Sequence, residues 1–320
     1  MKVGGFLACY TGWSLDDALA SLASTGATSV ELSSFGRVIG FDYSLDDLLG
    51  SKPRRQELLQ RIEGHGLTIS SISCHGNALH PRPAVADAQT TLFRDTVELA
   101  GLLGVDTVVD FSGCPGDGPR AQYPNWVTCA WPDDYPAILD WQWAERIVPH
   151  WTVMAPFCQE RGVRVAIEMH PGMSVYTPRN MMRLRDAVGP TVGANLDPSH
   201  LFWQQIDVIG AIRYLGDAIH HVHLKDCEQR SHNSAEVGVL DTTPFSGWSE
   251  RGWLYRTIGY GHDSAFWREF VVALKEVGYR GVLSVEHEDV FIDVEDGMAK
   301  AVALIRDVLP TSDEMNTWWE

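Results

Sequence analysis

The stretch TVGANLDPSHLFW, residues 191–203, decides how this chain is read. An apolar run ends in a carboxylate, Asp197. A proline follows, then His200, then an apolar stretch that can open a helix. A carboxylate at the C-terminal tip of a buried strand, with an imidazole just beyond it, is where a metal or a substrate sits in parallel α/β proteins. An isolated Asp-Pro is ordinarily a turn and a helix cap. Here the pattern recurs, in VAIEMH (165–170), HHVHLKD (220–226) and VLSVEHED (282–289). Apolar runs that each finish in acids or histidines point to one shared site.

Outward from that stretch, strand and helix alternate. KVGGFLACY (2–10) reads as a short buried strand. Ser14 then caps a helix whose apolar residues Leu15, Ala18, Leu19 and Leu22 fall on one face, and Gly26 ends it. Further strands are predicted at TSVELSS (28–34), LTISSISCHGN (67–77), VDTVVDFSG (105–113), VRVAIEMH (163–170), TVGANLD (191–197), AIHHVHLKD (218–226) and GVLSVEHED (281–289). Helices are predicted over about 53–63, 84–103, 136–161 with a break near Pro149, 178–188, after Asp207, and over 264–277 and 294–308. No Gly-rich phosphate fingerprint follows the first strand, and no composition break resembles a linker. Eight such units predict an α/β fold of the (β/α)₈ barrel type, with a doubly wound sheet as the alternative. The chain reads as one domain, barrel over 1–310 and a C-terminal tail over 311–320. Two long loops interrupt the rhythm, after the fourth and seventh strands. The first, 113–135, carries Tyr123, Trp126, Trp131 and Tyr135, which can stack on a sugar ring or pack against the next helix; the second spans 227–262. Trp318 and Trp319 near the end read as a packing clasp or an interface.

Composition narrows the function. The 320 residues are 45% hydrophobic and carry 42 acids against 25 Lys and Arg, a net charge of −17. So acidic a surface, with no Lys/Arg-rich block, disfavours nucleic acid and anionic membranes as partners. The six cysteines are scattered without a CxxC pair. No signal peptide or membrane span is legible, and the expected location is a reducing cytoplasm.

In a barrel all eight strand tips converge on one face. That gathers Glu31, His75, Asp110, Glu168, His170, Asp197, His200, His221, His223, Lys225, Glu286 and Glu288. Residues two apart on a strand share a face, so Glu168 with His170, His221 with His223 and Lys225, and Glu286 with Glu288 can all point inward. Carboxylates crowded together repel one another unless a cation neutralises them. An oxygen-rich shell with one imidazole suits Mn²⁺, Mg²⁺ or Co²⁺ better than a thiolate-type zinc site, and Zn²⁺ stays open. Such an ion polarises a sugar carbonyl and acidifies the neighbouring C–H, and a nearby carboxylate can take that proton.

The motifs EMHPG, LDPSHLFW, HVHLKD, GYGHDSAFW and VLSVEHED, with SCHGNALHP and FSGCPG at the third and fourth strands, resemble the xylose isomerase-like TIM barrels, in the sugar phosphate isomerase/epimerase branch. The resemblance runs from the first strand to the closing helix. It implies one divalent metal held by Glu168, Asp197, His223 and Glu286, with His221 as the fallback for His223. It further implies that Glu168 and Glu286 act as the catalytic acid/base pair. His75, His170, His200, His221 and Lys225 would be substrate-facing. Arg120, Lys225 and Arg256 are isolated candidates for holding a phosphate, so Arg256 joins the candidate substrate-binding residues.

The implied activity is a metal-dependent isomerase or epimerase of sugars or sugar phosphates. The alternative is a lyase or deglycosidase subunit cleaving 3-oxo-glycosides by β-elimination, which needs the same proton abstraction. The implied partner is a small-molecule sugar, with homo-oligomer and hetero-oligomer subunit both open. Asp110 stands where the related abasic-site endonucleases place a histidine ligand, which with the negative charge argues against DNA. A non-catalytic sugar-binding barrel and a metal-free two-carboxylate glycosidase rank lower.

Overall fold

The computed structural model describes residues 1–312. Eight strands form a closed parallel barrel: β1 (Lys2–Phe6), β2 (Ser29–Ser33), β3 (Thr68–Ser73), β4 (Thr107–Phe111), β5 (Arg164–Glu168), β6 (Val192–Leu196), β7 (Ile219–Leu224) and β8 (Val282–Val285). Each strand pairs with its sequence neighbours and β1 closes on β8, with Gly5 opposite Val285 and Phe6 opposite Glu31. The doubly wound alternative is thereby excluded. The predicted Trp318–Trp319 contact lies outside the described residues.

Local chemistry explains the helices. Ser14 accepts a hydrogen bond from the backbone N–H of Asp17 and opens the first helix, Leu15–Ser24. Asp263 and Asp293 cap the last two helices, Ser264–Glu276 and Val294–Val308, in the same way. Their buried faces supply much of the shell around the barrel, including Trp267, Phe270, Val302 and Ile305.

Several boundaries differ from expectation. The first strand ends at Phe6 and passes into a 3₁₀ turn, Leu7–Tyr10. The predicted break near Pro149 is absent. The chain runs helically through Asp134–Gln142, widens into a π turn at Trp143–Ile147, and continues over Val148–Gln159. Pro149 falls at the start of that last segment, where a missing N–H is tolerated. The 227–262 loop is not structureless. An antiparallel ribbon pairs Asp226–Gln229 with Trp253–Arg256, and a short helix, Ser231–Val237, lies between them. Asp226 ties this excursion to the barrel: its Oδ2 accepts from the N–H groups of Gly259, Gly261 and His262, and its Oδ1 lies 2.7 Å from His262 Nδ1. Among the described residues no helix is long and apolar enough to cross a membrane, and all six cysteines are free.

Strand β6 shows how the sequence positions the site. Its alternation turns Val192, Ala194 and Leu196 to one face and Gly193, Asn195 and then Asp197 to the other. Gly193 permits the neighbouring strand to approach closely. A Cβ there would lie 2.4 Å from Ala218 O and 2.6 Å from the His220 ring. The nearest obstacle is backbone and cannot swing away. Gly193→Ala is therefore expected to destabilise the barrel by about 1–3 kcal/mol, the usual range for overpacking a core. Denaturant unfolding measures it; an unchanged midpoint would show that the two strands can separate at no cost.

Candidate metal centre

Four side chains meet above the barrel lumen. Glu168 is the last residue of β5, His223 lies within β7, and Asp197 and Glu286 follow directly after β6 and β8. One ligand-type atom from each lies within 4.8 Å of all the others. Glu168, Asp197 and His223 are buried, and the Glu286 side chain is 12% exposed.

Two of these atoms, Asp197 Oδ2 and His223 Nδ1, are buried and make no hydrogen bond. Ionisable neighbours are close to both. His200 Nε2 and Lys225 Nζ each lie 3.2 Å from Asp197 Oδ2. Glu168 Oε2 and Glu286 Oε2 lie 3.3 and 3.1 Å from His223 Nδ1. These separations are within hydrogen-bond range, but their angles do not complete hydrogen bonds. Buried polar atoms are normally satisfied, so two orphans within one four-residue cluster call for an explanation. A divalent cation satisfies both atoms at once, and three carboxylates with one imidazole form the oxygen-rich donor set that hard or borderline ions prefer.

The surroundings hold the carboxylates ionised. Glu168 Oε1 lies 2.9 Å from His200 Nε2, and Oε2 lies 3.0 Å from both His75 Nε2 and Asn195 Nδ2. Burial alone would raise the Glu168 pKa, but His75, His200 and His223 outweigh it and hold it well below the usual carboxylate range. Glu286 is likewise held down despite burial, chiefly by Lys225 and then His223. Lys225 Nζ sits 2.9 Å from Glu286 Oε2 and 3.1 Å from Glu288 Oε2, and 4.6 Å from the centre of the Tyr255 ring. Burial opposes its charge, yet these carboxylates keep the lysine pKa well above normal.

Below this tier the lumen holds a second polar group around Glu31, whose side chain has no exposure. His221 Nε2 lies 2.9 Å from Glu31 Oε2, while His223 Nε2 lies 3.0 and 3.1 Å from its two oxygens. Ser284 Oγ donates to Oε2 at 2.7 Å, and Ser73 Oγ donates to Oε1. Burial would raise the Glu31 pKa, but the two imidazoles hold it well below normal. Glu31, His221 and His223 also approach as a ligand-type trio. Unlike the upper group, no atom of this trio facing the carboxylate lacks a partner.

The predicted residues thus separate by position. His75 and His200 touch Glu168. His170 stacks edge-on with His200, ring centres 4.3 Å apart, and burial followed by the His200 charge pushes its pKa down to about 3, so it stays neutral. His75 sits at the end of β3 with φ +39°, a left-handed conformation that costs energy in a non-glycine residue and recurs at functional sites. Asp110 accepts from the N–H groups of Gly76 and Phe111, both at 2.8 Å, and so braces that turn. His221 faces Glu31 rather than the upper group. Arg256 is not brought into the cluster. Its guanidinium pairs with Asp289 and Glu228 and lies against Phe291 and Tyr260, so its charge is already matched. Arg120 is exposed on the 113–135 segment, where Asp117–Trp126 surround a recess of about 690 Å³ that includes none of the cluster residues. On the same segment Trp126 packs against Tyr176, while Tyr123 and Trp131 are largely exposed.

Three contributors carried no assigned role in the sequence reading. Glu31 was gathered among the strand-tip residues without a role of its own, and Asn195 was legible in principle, since it shares the inward face of its strand with Asp197. Tyr255 was not. It arrives on the inserted ribbon, and its hydroxyl lies 3.2 Å from His200 Nδ1.

Comparison with known proteins places this geometry in context. An uncharacterised protein of Bacillus subtilis (strain 168), YfiH, is 37% identical over 297 residues, covering 92% of this chain and 95% of that protein. Among solved structures, D-psicose 3-epimerase with D-fructose superimposes with a TM-score of 0.63 at 16% identity, over 97% of this chain and 99% of the other. The IolI protein with a bound zinc atom gives 0.65 at 19% identity, over 97% and 98% of the two chains. At these identities the structural likeness is one of fold. Residues 19–308 match the family profile described as xylose isomerase-like TIM barrel, and this chain belongs to that family.

Proposed function

We propose that this protein is a divalent-metal-dependent isomerase or epimerase of sugars, acting by proton abstraction next to a carbonyl. The observation that carries the proposal is the meeting of Glu168, Asp197, His223 and Glu286, with two of their buried atoms unsatisfied. The ion would be held by these four residues. Mn²⁺ is the preferred ion on donor chemistry, and the zinc in the structurally similar IolI protein keeps Zn²⁺ in play. The sugar epimerase fold likeness supports a sugar substrate.

The roles of the chain's own residues follow from the contacts. Glu168 and Glu286 are the proposed acid/base pair. His75, His200 and Asn195 hold the Glu168 carboxylate in one orientation and stabilise its anion. A carboxylate held so low is a weak base, and a bound divalent ion would supply the compensating chemistry, as a Lewis acid that polarises a carbonyl and lowers the pKa of the adjacent C–H. Lys225 holds Glu286 at Oε2 and balances charge when a carboxylate gives up or takes back its proton. Access is from the side of His75, Glu286 and Glu288, whose side chains are 17%, 12% and 49% exposed, while Asp197 and His200 close the floor. His170, kept neutral, donates its Nδ1–H to Pro171 O at 2.7 Å, which leaves Nε2 to accept from a sugar hydroxyl.

Elemental analysis combined with proton-exchange NMR in D₂O, on ketoses, aldoses and 3-keto-glycosides, tests this directly. About one divalent ion per chain and chelator-sensitive exchange of a carbon-bound hydrogen are expected, and an unsaturated product in place of a stereoisomer would convert the assignment to a lyase. A metal-free protein that exchanges nothing would end the proposal. Glu168→Gln and Glu286→Gln are each expected to slow exchange by about 10²–10⁴-fold, the usual contribution of a general acid or base. Asp197→Asn and His223→Ala should lose the ion while circular dichroism still reports a folded barrel. A metal-replete, active His223→Ala protein would reassign the ligand to His221.

The metal-free charge state predicts a pH dependence. Burial disfavours the His223 imidazolium, but Glu31 and Glu286 outweigh that and hold its pKa well above the usual value. Glu168 and Glu286 are held low and are already ionised. At neutral pH an incoming ion must therefore displace the His223 proton, and affinity should rise with pH until the metal-free His223 pKa is passed. Calorimetry in buffers of different ionisation enthalpy should show about one proton released per ion at pH 7. No release would mean that His223 is neutral before binding.

A further inference from the structure

We propose that Glu31 is the positioning residue of the metal centre: it selects His223 over His221 as the imidazole presented upward, and selects Nδ1 as the nitrogen left free. This deepens the metal-centre reading above and rests on it.

The H-x-H pattern of β7 places two imidazoles on the inward face, and sequence spacing does not distinguish them. Glu31 does. Its carboxylate bridges both rings, 2.9 Å from His221 Nε2 and 3.0 and 3.1 Å from His223 Nε2. An ionised carboxylate only accepts hydrogen bonds, so a ring nitrogen bonded to it carries the proton. With Nε2–H directed at Glu31, the lone pair of a neutral His223 must lie on Nδ1. That atom is the one found buried, unbonded, and within 3.3 and 3.1 Å of Glu168 and Glu286. Phe6 stacks on the His223 ring, centres 5.6 Å apart, which limits the ring to this plane. His221 is held by the same carboxylate and lies 3.3 Å from Ser71 Oγ, both through Nε2.

The trio Glu31, His221 and His223 could be taken for a second ion site. The pattern of satisfied atoms argues otherwise. Ser73 and Ser284 complete the Glu31 carboxylate from two other strands, so its acceptors are occupied. Unsatisfied atoms occur on the other side of the His223 ring. A hydrogen-bonded carboxylate behind a ligating histidine is a general device for fixing tautomer and ring orientation, and its loss typically weakens metal affinity roughly 10–100-fold.

Glu31→Gln is the nearest isostere. Its amide offers one acceptor oxygen in place of two. In either orientation His223 Nε2 loses one of its two oxygens. In one orientation the amide NH₂ faces Nε2 and forces the proton onto Nδ1.

The experiment uses the full chain and Zn²⁺ as a diamagnetic probe. Zinc affinity is measured for wild type and Glu31→Gln, with circular dichroism and unfolding midpoints establishing that the variant is folded. Histidine ring nitrogen NMR is recorded on zinc-loaded wild type. The expected results are a roughly 10–100-fold weaker affinity in the folded variant and a wild-type His223 that keeps its proton on Nε2 and binds through Nδ1. A folded Glu31→Gln protein with wild-type affinity would overturn the proposal. So would a wild-type His223 bound through Nε2. Should the variant fail to fold, the wild-type spectrum alone decides. A wild-type protein that takes up no zinc or other divalent ion would instead remove the centre itself, a failure distinguishable from the failure of Glu31's role.

Discussion

Carboxylates buried at the centre of a barrel cost several kcal/mol each in lost hydration, and the rest of this structure depends on how that cost is met. Barrel lumens of this type are usually filled with branched apolar side chains. Here the lumen carries a polar layer instead. Glu31 is met by two imidazoles and two hydroxyls, Glu168 by His75, His200 and Asn195, and Glu286 by Lys225. These partners come from β3, β6, β7, β8 and the segments that follow the strands. Ser73 reaches Glu31 from the neighbouring strand, but the His221 and His223 contacts cross the lumen and form only when the barrel is closed, and a one-residue slip of a strand would turn these donors away from the lumen. The charge layer therefore specifies register as well as chemistry.

The two tiers of that layer have different states of satisfaction. Around Glu31 the carboxylate's partners are in place and the arrangement is self-contained. Around Asp197 and His223 two buried atoms lack hydrogen bonds and three carboxylates crowd together. A structure that completes its lower tier and leaves the upper one open places its unmet electrostatic demand where the strand ends give access to solvent. That is the arrangement expected of a site that receives a cation and a polar ligand.

The insertion after β7 adds a separate level of control. Asp226, adjacent to Lys225, collects three backbone N–H groups of the returning chain and so holds the ribbon over the strand ends. The ribbon then delivers Tyr255 to His200 and to the face of Lys225. Chemistry is carried by the strand tips, while the walls around it are carried by the loops. Barrels of one family can in this way keep a common centre and differ in what they admit.

Much of this was legible in the residues. The period of two in SVELS, VGANLD, HHVHLKD and VLSVEHED places acids and imidazoles on common faces. Their spacing between helical patterns is enough to predict eight βα units and the convergence of the strand ends, and the resemblance carried by EMHPG and LDPSHLFW implied the four residues that do meet. Alternation along a strand is a local property, and sequence states it directly. Partnership across the lumen is not local. Glu31 lies 190 positions from His221 and 253 from Ser284 in the chain, so nothing near it announces which imidazole it turns. Arg256 looked available until the fold set Asp289 and Glu228 beside it, and Tyr255 entered only with the ribbon. Sequence determined which side chains face inward. Only the closed tertiary structure decided which of them are satisfied and which are left open, because hydrogen-bond saturation depends on atoms brought together from distant strands.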